Sequence, residues 1–317
     1  MSMKKFLTEI TFIFFLPILC IAVVAEYSIR AIPNDYSYKN QWMENNCKNL
    51  NILCLGPSSV YYGINPKYFD KKSFNGAHVS ESLNYDNFIF NKFIDQMDSL
   101  QYLVLDIDYW SPFSSLETGQ EWWRATYYNI YYGCKKHRGE IKYNFEMAIH
   151  NFSTFKKAGQ GFLNVIGFQN ISNNNITKLG FGTNYSQKNK ILDWNNGKNQ
   201  ALNHNNWIKE QEHFNLVNKN KTYLNEILKK CASKNIRVLM ISTPTCNSYR
   251  ENLNVNYLKR KNDFCNSFVA SFNNVSYLDF SSDKSFIDED FFDGSHLNEI
   301  GAKKFTGLIN QKILGWQ

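Results

Sequence analysis

The chain has 317 residues, 43% hydrophobic and 20% charged, with 25 Phe, 19 Tyr and 7 Trp. That apolar and aromatic mass excludes a wholly disordered chain and is enough for one large domain with something small beside it. Thirty-five Lys plus Arg against 28 Asp plus Glu leave a charge of +7, spread thinly along the chain. No basic block is dense enough for a nucleic-acid arm, so nucleic acid is not an expected partner.

Lys4 and Lys5 precede an apolar run from Phe6 to Ala25 whose one charge is Glu9. Two lysines ahead of such a run predict that the N-terminus stays inside and the rest is exported. Residues 1–30 are therefore expected to be an N-terminal membrane anchor, one transmembrane helix, with the globular part on the extracytoplasmic side. Val23-Val24-Ala25 also reads as a signal-peptide cleavage site, so removal of the segment stays open. Residues 26–48 are polar and irregular, and 31–49 are expected to form a stalk.

From residue 50 the pattern changes. Leu50–Leu55 is a short apolar run ended by Gly56-Pro57, which predicts a buried strand meeting a sharp turn. A second short strand is expected near Lys72–Phe74. Tyr85, Ile89, Phe93 and Met97 recur every four residues and predict a helix with one apolar stripe. Tyr102–Ile107 reads as another buried strand. Leu224, Ile227, Leu228 and Cys231 mark a helix, Arg237–Ser242 a strand, Val275–Leu278 a last strand, and Leu297 onward a closing helix. Strands alternating with helices predict an α/β fold with a parallel sheet over 50–317.

Between the two halves, residues from about 114 to 213 are rich in Asn, Trp and Tyr and weak in periodicity. A structureless loop of that length does not suit a compact domain, so an inserted, partly helical cap near the C-terminal edge of the sheet is expected. Trp122, Trp123, Tyr127, Tyr128, Trp194 and Trp207 suit either a sugar-stacking wall or the insert's own core. Six cysteines lie outside the anchor without a C-x-x-C pair, and spacing alone assigns no disulfide.

Two short patterns carry chemistry. Leu55-Gly56-Pro57-Ser58-Ser59 puts a serine on the turn at the C-terminal end of the first strand. If a helix follows, its free N–H groups favour negative charge on a bound carbonyl. Asp293-Gly294-Ser295-His296 places a carboxylate three residues before an imidazole, on a turn running into a helix. The carboxylate then orients one ring nitrogen and leaves the other free to take a proton from a serine. Taken singly, each pattern also reads as a turn and helix start. His78, His137, His150, His204 and His213 show no metal-ligand spacing. Of these His78 is a candidate to line a site, and the others are read as surface residues. Gly159–Gly161 has the wrong context for a phosphate loop. No metal and no cofactor are expected, because serine acyl chemistry needs none.

Together the two patterns resemble the SGNH (GDSL-like) hydrolase superfamily over residues 50–115 and 216–317. With Tyr62-Gly63-Ile64-Asn65-Pro66, the first resembles its membrane-anchored branch, which includes polysaccharide O-acetyltransferase-like and teichoic-acid D-alanylation proteins. The resemblance implies a three-layer, flavodoxin-like domain, with Ser58 as nucleophile, His296 as general base and Asp293 as its orienting carboxylate. Ser59 is the fallback nucleophile and His78 a fallback site residue. Phe74-Asn75-Gly76-Ala77-His78 occupies the family's second block, making Gly76 a candidate oxyanion donor with Ala77 close behind.

The chain departs from the family at Pro57, where an Asp is usual, and at its third block. There Leu105-Asp106-Ile107-Asp108-Tyr109-Trp110 stands where the family brings an Asn side chain as an oxyanion donor. An ionised Asp does not donate, so Asp108 is read as holding a substrate hydroxyl or capping the strand. The expected function is serine-dependent acyl transfer, chiefly acetyl, to an exported cell-surface polysaccharide, or ester hydrolysis on it. A membrane partner supplying the acyl donor goes with the transferase reading. The alternative is a non-catalytic glycan-binding or assembly protein on the same fold.

Overall fold

The computed structural model describes residues 3–149, 153–172 and 175–316, so His150 lies outside the described residues. The chain divides into two compact units. One is Met1–Tyr38 with Trp123–Asn173, and the other is Lys39–Trp122 with Asn174–Gln317.

The second unit is a mixed α/β structure on a five-stranded parallel sheet of order β2-β1-β3-β4-β5. Its strands are β1 Ile52–Leu55, β2 Ser73–Asn75, β3 Tyr102–Asp106, β4 Arg237–Ser242 and β5 Val275–Asp279. The five expected strands form within a residue or two of their predicted bounds. The central ones are buried on both faces, as a parallel sheet covered by helices requires. Ile52, Cys54, Tyr102, Val104, Leu239 and Ile241 meet Val60, Phe305, Ile309 and Ile313 in one core. The alternate residues Leu53, Leu55, Leu103, Leu105, Val238 and Met240 are equally buried on the other face. There the predicted stripe helix, Leu83–Phe93, packs against the helix Leu216–Ser233.

The order reverses between β1 and β3, and in an open α/β sheet the crevice outside the strand ends at such a point is where ligands bind. The Gly56-Pro57-Ser58 turn lies there.

The expected irregular stalk is instead largely helical. Asp35–Asn46 is a helix in which Tyr36, Lys39, Asn40, Met43 and Cys47 just beyond its end are buried. Two polar residues on the inward stripe hid its period. Lys39 donates from Nζ to the Ala77 carbonyl at 2.5 Å, and Trp42 stacks on Phe74 at 3.8 Å. The region 114–213 contains the helices Ala125–Tyr131, Ser153–Val165 and Trp194–Gln211, and the two units share it. Its aromatic residues divide likewise. Tyr128 is fully buried against Tyr36 and Tyr132, a core role, whereas Trp207 packs on Trp110. All seven cysteines are free thiols.

The first unit begins with a helical run from Met3 to Arg30, 28 residues, long and apolar enough to cross a membrane. Thr11–Phe15 form a π-helical turn within it.

Candidate active site

The turn after β1 is dictated by Gly56, whose φ of +138° is rarely adopted by residues that carry a Cβ. A Cβ there would stand 2.9 Å from Cβ of Asp106 and 3.0 Å from Val60. The turn delivers Ser58 as the first residue of the helix Ser58–Gly63. Pro57, the residue before it, offers no capping side chain, and its carbonyl takes the N–H groups of Val60 and Tyr61 at 3.1 and 3.0 Å, so the leading N–H groups of Ser58 and Ser59 have no side-chain cap.

The polar support that Pro57 lacks comes from neighbouring elements. Ser59 is buried and donates to the Asp106 carboxyl, and the Gly56 N–H donates to the Asp86 carboxyl. Burial pushes Asp86 up to about 7, against the pull of its hydrogen bonds from Glu81 and Gly56. Burial and the neighbouring Asp108 charge push Asp106 well above the usual carboxylate range. Asp108 is raised by burial as well, opposed by the Tyr109 N–H, which it accepts at 2.7 Å, and by the His296 charge.

The loop before the last helix supplies the other half. Asp293 Oδ1 accepts the N–H groups of Ser295 and His296, each at 3.0 Å, which fixes the carboxylate within its own turn. Asn298 caps the helix Glu299–Leu314 by accepting from the N–H groups of Ile300 and Gly301. His296 Nδ1 lies 2.8 Å from Asp293 Oδ1, and Nε2 lies 2.7 Å from Ser58 Oγ. Ser58 and His296 are partly exposed and Asp293 is buried. Tyr185 stacks between Tyr62 at 3.7 Å and Phe292 at 3.9 Å, and meets the edge of the His296 ring at 5.2 Å.

Burial disfavours the imidazolium, but the Asp293 carboxylate outweighs it, aided by Asp108, and holds His296 above its ordinary 6.5. Burial likewise opposes ionisation of Asp293, yet His296, the Ser295 N–H and the Gln200 side chain keep it below the usual range. A general base works only when neutral. Turnover is therefore expected to be present at high pH and lost as the pH falls through a pKa above 6.5. The free-enzyme profile of kcat/KM reads this directly. Asp108→Asn is expected to move that acid limb to lower pH, since it removes a charge that favours the imidazolium.

Several sequence-predicted residues are placed differently from expectation. The Gly76 N–H donates to the Cys54 carbonyl at 2.8 Å, continuing the sheet ladder, so it is not offered to an oxyanion. The Ala77 N–H is held by Asn75 Oδ1 at 3.1 Å. His78 is fully buried, with its N–H on the Gly56 carbonyl at 3.3 Å. Ser59 faces Asp106 rather than His296. His213 is exposed and His137 partly buried. His204 is not a surface residue of the expected kind: Nδ1 lies 2.6 Å from the Tyr249 hydroxyl, and burial with the His296 charge pushes it down to about 4.

Gln200, His204 and Tyr185 were not legible as site residues, because each comes from the aperiodic insert and carries no local motif. Gln200 and His204 line a cavity of about 260 Å³ with Trp207, Asn203, Glu121 and Ser80. Among the described residues, Trp207 Nε1 and Gln200 Oε1 are buried without a hydrogen-bond partner. No group of His, Cys, Asp or Glu among the described residues forms a metal site.

No family model matches the chain, and no curated protein matches it. It is similar to a solved structure from Streptococcus pneumonia described provisionally as a platelet activating factor. The two share 10% identity over 93% of this chain and 98% of that one, with a TM-score of 0.41. So remote a likeness transfers no chemistry.

Proposed function

We propose that the chain is an SGNH-like serine acyl enzyme, anchored in a membrane by its N-terminal helix with the α/β unit on the extracytoplasmic side. It would transfer an acyl group, chiefly acetyl, to a cell-surface polysaccharide, or remove one from it. The observation that carries this reading is the continuous Ser58–His296–Asp293 relay, 2.7 and 2.8 Å per step, at the switch point of the sheet.

In the reaction His296 Nε2 takes the Ser58 proton while Oγ bonds the ester carbonyl carbon. The carbonyl oxygen becomes an oxyanion held by the Ser58 N–H. Asp108, near enough to interact with the His296 charge, is offered as an acceptor to a substrate hydroxyl. Collapse expels the alcohol, which takes the proton from His296 and leaves acyl-Ser58. A sugar hydroxyl or water then attacks, giving up its proton to His296, and Oγ recovers a proton as it leaves. A membrane partner that supplies the acyl donor belongs to the transferase version. The polysaccharide part of the reading is supported by the cavity beside Asp293, whose unpaired indole donor and amide acceptor suit a polyhydroxylated ring.

The test uses the detergent-solubilised full chain, p-nitrophenyl acetate and an O-acetylated polysaccharide. Release or transfer of acetate that disappears in Ser58→Ala supports the enzyme. No turnover of either ester, together with glycan binding unchanged in Ser58→Ala, supports the non-catalytic glycan-binding alternative.

A further inference from the structure

The helix Ser153–Val165 presents its faces in the reverse of the order expected in water. At 3.6 residues per turn, Phe155, Ala158, Gly159, Phe162 and Ile166 fall on one side, and Thr154, Lys157, Gly161 and Asn164 on the other. The small and polar side is the one packed inward, against the apolar helix Leu16–Arg30. Thr154 and Gly161 are buried. A Cβ on Gly161 would stand 1.9 Å from the Ser28 carbonyl oxygen, so the two backbones approach as closely as only glycine allows. Asn164 Nδ2 donates to the Ala31 carbonyl at 3.3 Å. Both pairs advance by three residues, so the helices run in the same direction.

The outward side is apolar and open. Phe155 is 77% and Phe168 81% exposed, and Phe162, Val165 and Ile166 are exposed too. The long apolar helix on which it packs likewise leaves Val23, Val24 and Tyr27 exposed. The same helix's end is clasped by Glu26, which pairs with Arg30 at 2.7 Å and accepts the N–H groups of Glu146 and Met147 at 2.9 and 3.0 Å. A helix of 28 residues exceeds the roughly 20 needed for a hydrocarbon core, so its last turns reach the headgroup level.

We infer that Ser153–Val165, with Ile166 and Phe168, is a second membrane-embedded element. It lies beside the anchor at the lipid–water interface, with its phenylalanine face among acyl chains and its polar face on the anchor. This rests on reading the N-terminal helix as a membrane span. The occupant of the apolar face is lipid because the helix that carries it packs directly on the apolar span, whose own apolar side chains are exposed.

The experiment uses the full chain with Cys20→Ser, which removes the exposed thiol and leaves six buried ones. An environment-sensitive fluorophore is placed on Phe155→Cys, Phe162→Cys, Phe14→Cys in the anchor, or Val255→Cys, which is 76% exposed in the α/β unit. The proteins are reconstituted into vesicles of phosphatidylcholine and phosphatidylglycerol. Labels at 155 and 162 are expected to be quenched several-fold more by spin-labelled lipid than by aqueous iodide, like the label at 14 and unlike that at 255. If 155 and 162 follow 255 while 14 follows lipid, the inference is overturned and the anchor stands. If 155 and 162 are shielded from both quenchers, protein covers the face, as in a second copy, and the inference is overturned. If 14 itself is open to iodide, both the anchor and the inference fall.

Discussion

Ser58→Ala is expected to lower turnover of p-nitrophenyl acetate by roughly 10⁴–10⁶-fold, with residual rate from binding and oxyanion stabilisation alone. The substitution removes one oxygen that is partly exposed and bonded to His296 at 2.7 Å, so the fold has little to lose. Thermal unfolding should move by no more than about 0.5 kcal/mol equivalent. Ser59→Ala is its counterpart. That hydroxyl is buried and donates to Asp106, so its loss leaves a buried carboxyl short of a donor and costs about 1–3 kcal/mol of stability. Turnover in Ser59→Ala should stay within about tenfold of wild type, since its oxygen is not on the relay. The opposite pattern, an inert Ser59→Ala and an active Ser58→Ala, would shift the nucleophile by one residue.

Gly56→Ala is expected to damage fold and site together. The residue's φ of +138° is costly for any side chain, and the new methyl would meet the Asp106 and Val60 side chains at 2.9 and 3.0 Å. Relief requires the turn to shift, which displaces Ser58 from His296 and loosens the Gly56 N–H from Asp86. A loss of about 2–4 kcal/mol is expected, with a Tm lower by several degrees. Because a displacement of about 1 Å in a reacting group costs roughly a hundredfold in rate, activity should fall even where the protein stays folded. A wild-type Tm and rate in Gly56→Ala would show that the turn does not need this conformation.

The sheet was legible in the sequence because its central strands are short uninterrupted apolar runs. Ile52–Leu55 and Val238–Ile241 are buried on both faces, and burial writes itself into such runs. The Ser58 and His296 motifs were legible because a sharp turn and an Asp-x-x-His spacing are local. What distance brings together was not. The Gly76 N–H is taken by a neighbouring strand, and His204 is drawn to Tyr249 across 45 positions of sequence. The inward stripe Tyr36–Lys39–Met43–Cys47 is hidden by a lysine whose partner, the Ala77 carbonyl, lies 38 positions away. In the helix Ser153–Val165 the orientation was not legible: its apolar face points outward, and periodicity does not say which face is inside.

The central claim is that Ser58 becomes acylated with His296 as its base. Rapid mixing of the full chain with p-nitrophenyl acetate, acid quench and peptide mapping by mass spectrometry tests it most directly. The account predicts an acetyl group on Ser58 in wild type and none in Ser58→Ala or His296→Ala. An acetyl group on another residue, or equal labelling of all three proteins, would contradict it.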